Sequence, residues 1–155
     1  ITIITIRNKP MLYQHILVPI DGSETSMVAM KEAIKIGKAL NSKITVVQVM
    51  ALDPIIADLY VKTGQTNELI ERTRTYLLDI LEQAKQQFLQ EGLSVETKLL
   101  EGFVVHEEII QAAQELNADL IVMGSHGRTG VRKLVLGSVA QKVLGESHIP
   151  VLIVR

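Results

Sequence analysis

The segment from Gly124 to Ser138 (Gly-Ser-His-Gly-Arg-Thr-Gly-Val-Arg-Lys-Leu-Val-Leu-Gly-Ser) gathers the residue types that hold anions. Its glycines let main-chain N–H groups approach an anion with no Cβ in the way. Gly137 and Ser138 stand at the start of a helix-patterned stretch, where unpaired N–H groups carry partial positive charge. The Ser138 hydroxyl can cap that helix or donate to a phosphate. Arg128, Arg132 and Lys133 add charge nearby. The chemistry indicated is retention of a phosphate group. A glycine-rich turn after a strand is also common as plain structure, and composition alone leaves the two readings even. The spacing is neither a Walker A loop nor Gly-x-Gly-x-x-Gly, and no Gly-x-Ser-x-Gly nucleophile elbow occurs.

Other residues with chemical potential are few. Asp21 closes an apolar run just before Gly22, where turn formation is one reading of it. His126 sits inside the glycine-rich loop, where a solvent-facing side chain is the simpler expectation. His15, His106 and His148 are scattered without metal-ligand spacing. Glu107 and Glu108 open a helix and suit its dipole. The sequence has no cysteine, so disulfides, thiolate catalysis and cysteine-bound metals are excluded.

The elements that must position these residues follow from periodicity. Ile16–Ile20, Ile44–Met50, Ser94–Leu100, Leu120–Met123 and Val151–Val154 read as strands. Between them, helices are predicted over 26–40, 67–91, 105–116 and 138–145. Met27, Met30, Ile34 and Leu40 mark the inner face of the first, with Ser23, Thr25 and Ser26 as N-cap candidates and Asn41-Ser42 as its end. Ile70, Thr73, Leu77, Ile80, Leu81, Ala84 and Phe88 trace the long helix, which Gly92 closes. Residues 51–66 show no clear period and contain Pro54 and Gly64, so they read as a loop with at most a short helical turn. The third strand alternates and belongs near a sheet edge; the fourth is almost wholly apolar and belongs near the centre. Strict β-α alternation implies a parallel sheet with helices on both faces. The glycine-rich segment then lies at the carboxyl end of a central strand, where open α/β sheets bind ligands.

Bulk properties narrow the function. Hydrophobic residues make up 47% of the 155 and aromatics 3%, which suits an aliphatic core and argues against a base-stacking platform. A net charge of −1 gives no global field for nucleic acid or an anionic membrane. No apolar run is long enough to span a bilayer. The first residues, Ile1–Arg7, are too few and too polar for a signal peptide, so a cytoplasmic location is expected. Residues 1–10 read as a leader or added extension, and residues 11–155 as a single domain.

Three separated motifs now converge. Gly124-x2-Gly127-x9-Gly137-Ser138, the opening Ile16–Ser23, and the close from Ser138-Val139-Ala140 to His148–Val154 resemble the ATP-binding branch of the universal stress protein family, in that order and over about residues 11–155. The resemblance implies an adenine nucleotide alpha hydrolase-like fold: five parallel strands in the order 3-2-1-4-5. It implies ATP, ADP or AMP as ligand, with Mg²⁺ as a candidate companion at Asp21. Carried over by position, Pro19, Ile20 and Asp21 line the nucleoside side, and Val49 meets adenine. Met123, Gly124, Ser125, His126, Gly127, Arg128, Thr129 and Gly130 wrap ribose and phosphates. Gly137, Ser138, Val139 and Ala140 hold the phosphate tail. No residue is assigned a catalytic role. The resemblance further implies a homodimer through Val151–Val154, with weak ATP hydrolysis or a scaffold holding structural nucleotide as alternatives. The related pyrophosphatases carry Ser-Gly-Gly-x-Asp-Ser after the first strand, which Asp21–Ser26 does not match.

Overall fold

A computed structural model describes residues 12–63, 68–127 and 136–155. The first strand, β1 (His15–Pro19), leads through α1 (Glu24–Leu40) to β2 (Lys43–Ala51). Then come α2 (Pro54–Thr63), α3 (Glu68–Gln90), β3 (Glu96–Gly102), α4 (Val105–Glu115), β4 (Leu120–Gly124), α5 (Ser138–Glu146) and β5 (Val151–Val154). The strands form one parallel sheet in the order β3-β2-β1-β4-β5, as the family resemblance implied.

Every residue of β1 and β4 is buried, which explains why neither strand alternates in polarity. Side chains on one sheet face (Ile16, Val18, Val46, Val122) pack against Ala29, Met30 and Ala33 of α1 and Leu81, Ala84 and Phe88 of α3. On the other face, Leu17, Val47, Ile121 and Met123 meet Ile109, Ala112 and Ala113 of α4 and Ala140 and Val143 of α5. Small residues on α1 let that helix lie close to the strands. A Cβ on Gly37 would stand 2.6 Å from Ile44 Cδ1.

Local signals end the helices where polar side chains or left-handed residues allow. Of the three N-cap candidates on α1 the structure uses Ser23, whose hydroxyl accepts the Ser26 N–H. Asn41, at φ 54°, closes that helix, and Gly92, at φ 80°, follows α3. His15 is a structural residue: its Nδ1 meets the Leu116 carbonyl at 2.9 Å and its Nε2 the Thr45 hydroxyl at 2.8 Å.

Three expectations need correction. Residues 54–63 form a helix rather than a loop. Asp53 caps it by accepting the Ile55 N–H at 2.8 Å, and Pro54 sits at the first helical position, where a missing N–H costs nothing. Strand β3 runs two residues later than expected, because its pairing with β2 begins at Thr45↔Glu96. Leu40 is exposed at the end of α1, whose inner face is carried by Ala29, Met30, Ala33 and Gly37. The calls on residues 1–10 fall outside the described residues.

Edge strand β3 is pinned to α3 by Arg74, which donates from Nε and Nη2 to the Glu101 carboxylate at 2.8 and 3.1 Å and also bonds Glu71. The Arg74 hydrogen bonds hold the Glu101 carboxyl below its ordinary value of 4.5. The contacts are partly exposed, so Arg74→Ala should cost about 0.5–1 kcal/mol at neutral pH. A depressed folded-state carboxyl stabilises the protein above its unfolded-state pKa, and that increment is lost as pH falls through the folded value. Urea titrations should therefore separate variant and wild type at neutral pH and converge in acid.

Candidate functional site

The strand order reverses between β1 and β4: β1 leads to β2 on one side, whereas β4 lies on the other. The diverging loops leave a crevice at the carboxyl ends of the strands. A cavity of about 190 Å³ opens there. Pro19, Ile20 and Asp21 line it from the end of β1, and Val49 from β2. Met123, Gly124, Ser125, His126 and Gly127 line it from β4 and the turn beyond. The start of α5 contributes Gly137, Ser138, Val139 and Ala140. Arg128, Thr129 and Gly130, with Arg132 and Lys133, lie outside the described residues.

Sequence reasoning missed four lining residues: Ser26, Val47, Val105 and Ile109. Val47 shares a strand face with Val49 through the two-residue repeat, and α4 begins at the carboxyl end of the parallel strands, so both signals were available. Together Ile20, Val47, Val49, Val105, Ile109 and Met123 make an apolar wall suited to a flat ring. The lining also includes the polar residues Asp21, Ser125 and Ser138.

The glycines serve different ends. A Cβ on Gly124 would stand 2.6 Å from Thr25 Oγ1 and 2.8–2.9 Å from main-chain atoms of Thr25 and Ser26. Gly124 therefore lets α1 start against the end of β4, whether or not a ligand is present. A Cβ on Gly127 would meet Asp21 Oδ2 at 2.9 Å. Gly137 donates its N–H to the Ser125 carbonyl at 2.8 Å. Its amide is thus engaged in closing the turn, and the amides available at this helix start begin with Ser138.

Helix α5 starts at Gly137 without a side-chain cap, and α4 starts at Val104 likewise, whereas α1 has the Ser23 cap. An uncapped N-terminus facing a cavity is a place for an oxygen-rich anion. Asp21 accepts the Ser23 N–H at 2.9 Å, with Gly22 at φ 79° completing the turn, so its turn-forming role is realised while it also lines the cavity. His126 is half-buried rather than solvent-facing. Its Nδ1 lies 2.9 Å from the Ser125 hydroxyl, and its Nε2 is buried with no hydrogen-bond partner among the described residues.

A family model described as "Universal stress protein family" matches residues 12–155. The chain belongs to the universal stress protein family. Universal stress protein MJ0531 of Methanocaldococcus jannaschii is 35% identical over 150 residues, 97% of this chain and 86% of that one. The solved structure of hypothetical protein MJ0577 aligns with a TM-score of 0.78 at 30% identity, over 92% of this chain and 96% of that one. A universal stress protein solved in complex with cAMP aligns with a TM-score of 0.68 at 26% identity, over 93% and 98%. Among the described residues, no helix is long and apolar enough to cross a membrane.

The packing role of Gly124 is separable from ligand binding. Gly124→Ala should destabilise the ligand-free protein by about 1–3 kcal/mol through overpacking. Gly145→Ala, with nothing within 4 Å of its new Cβ, should be neutral or gain up to about 1 kcal/mol. Urea denaturation without nucleotide measures both.

Proposed function

We propose that this universal stress protein binds an adenine nucleotide (ATP, ADP or AMP) in the cleft at the ends of β1 and β4. It acts as a regulatory module of the stress response, with slow or no hydrolysis. The observation that carries this reading is the joining, in one cavity, of an apolar wall and an uncapped helix N-terminus. The cAMP complex of a relative supports it. In this reading the base lies against Val49 and its apolar neighbours. Asp21 stands near the ribose or a phosphate-bound Mg²⁺. The Ser138 hydroxyl and the amides of Ser138, Val139 and Ala140 take the phosphates, and Arg128, Thr129 and Gly130 complete the set on the sequence alone. A cytoplasmic location, with its nucleotide supply, accompanies this reading.

Mg-ATP at roughly 100 times Kd should raise stability by about 2.7 kcal/mol. That corresponds to an increase in Tm of roughly 5–11 °C for a chain of this size. Acid extracts of the purified protein should release an adenine nucleotide. An unchanged melt in millimolar Mg-ATP, together with an empty extract, would overturn the assignment.

A second copy is proposed to pair along β5. This strand is bonded to β4 on one side and ends the sheet on the other, and it exposes Leu152. An open apolar edge favours cover by another chain. Light scattering should give twice the 17.2 kDa chain mass at micromolar concentration; a monomer mass there contradicts the dimer.

A further inference from the structure

Two loops meet at the cleft, and one hydroxyl fastens them. Thr25, in the first turn of α1, donates its Oγ1 hydrogen to the carbonyl of His126 in the turn after β4. Ser23 reaches the same oxygen only at 3.4 Å, a much weaker contact. The Thr25 hydroxyl is not needed to start the helix, because Ser23 supplies the cap. Its partner is a main-chain group one residue ahead of Gly127, which lines the cavity and is exposed.

The peptide joining His126 to Gly127 is a planar trans unit, so its C=O and N–H point in opposite directions. Holding the His126 oxygen against α1 turns the Gly127 N–H away from α1. The Gly127 nitrogen also lies near the α5 start, 3.8 Å from where a Cβ on Gly137 would stand. The Gly127 N–H is thus near the start of α5, where it could join the uncapped helix amides in holding an anion.

We propose that Thr25 is a positioning residue for phosphate recognition: its hydroxyl fixes the orientation of the His126–Gly127 peptide and so presents the Gly127 amide to the ligand. The inference rests on the adenine-nucleotide reading above and goes beyond it by placing a determinant of affinity on α1. Without the hydroxyl this peptide plane is no longer held and the donor turns out of line. The effect falls on the phosphate end and not on the apolar wall.

The test compares wild type, Thr25→Val and Thr25→Ser in calorimetric titrations with Mg-ATP and with adenosine, alongside thermal melts of the free proteins. Thr25→Val should weaken Mg-ATP binding by about tenfold and adenosine binding by less than about twofold, and Thr25→Ser should restore Mg-ATP affinity to within about threefold of wild type. Equal Mg-ATP affinity in wild type and Thr25→Val overturns the proposal. So does a parallel loss for ATP and adenosine with a lowered melting temperature, which would make Thr25 a packing residue only. A wild type that binds no adenine nucleotide overturns the underlying reading and this proposal with it, a result distinguishable from either of the others.

Discussion

The site depends on how closely the start of α1 approaches the end of β4. That approach leaves no room for a methyl group at Gly124, whose Cβ would fall inside contact distance of Thr25 and Ser26. Because β1 and β4 are neighbours in the sheet, their following loops leave in different directions and a crevice remains between them. Drawing α1 down onto β4 brings the hydroxyls of Ser23 and Thr25 to the His126 carbonyl and sets Asp21 beside Gly127. The geometry of the cleft is thus a consequence of sheet order and one missing side chain.

This arrangement also separates packing from recognition. The face covered by α1 and α3 has an aliphatic and aromatic cluster around Phe88 and Met30. The face covered by α4 and α5 contains the wall of the cleft, since Val47, Ile109, Met123 and Ala140 belong both to that core and to the cavity lining. Cavity-lining residues are therefore held by the same contacts that hold the fold, and a ring bound there would extend an existing core. Preorganised walls of this kind reduce the ordering cost of binding.

Much of this was legible in the sequence, because the signals were local. β-branched runs bounded by turn residues located the strands. The spacing Gly124, Gly127, Gly137-Ser138 marked the cleft, since glycine and serine at a strand end and a helix start act through the backbone. Less was legible where the cause lay elsewhere in the chain. The Asp53-Pro54 start of α2 was a local signal, yet the helix carries exposed Ile55, Leu59 and Val61 and so lacks the amphipathic period that usually announces one. Strand β3 is displaced because its register is set by β2. The amide of Gly137 looked available for a ligand, but it is taken by Ser125, a partner twelve residues back whose carbonyl direction no spacing reveals.

His126 shows where local reading fails most instructively. In sequence it is a loop histidine between glycines. In the fold its main chain is fastened to α1, its Nδ1 faces the buried Ser125 hydroxyl, and its Nε2 is withdrawn from water. A buried ring nitrogen that lacks a partner, as Nε2 does among the described residues, costs free energy. His126 is held both through its backbone, by the Thr25 hydroxyl on its carbonyl, and through its ring, by the Nδ1 contact with Ser125. Gly124 contributes by leaving room for α1, and Gly137 by donating its N–H to the Ser125 carbonyl. At this turn the planarity of the peptide couples the His126 carbonyl, turned toward α1, to the Gly127 N–H, turned away from it.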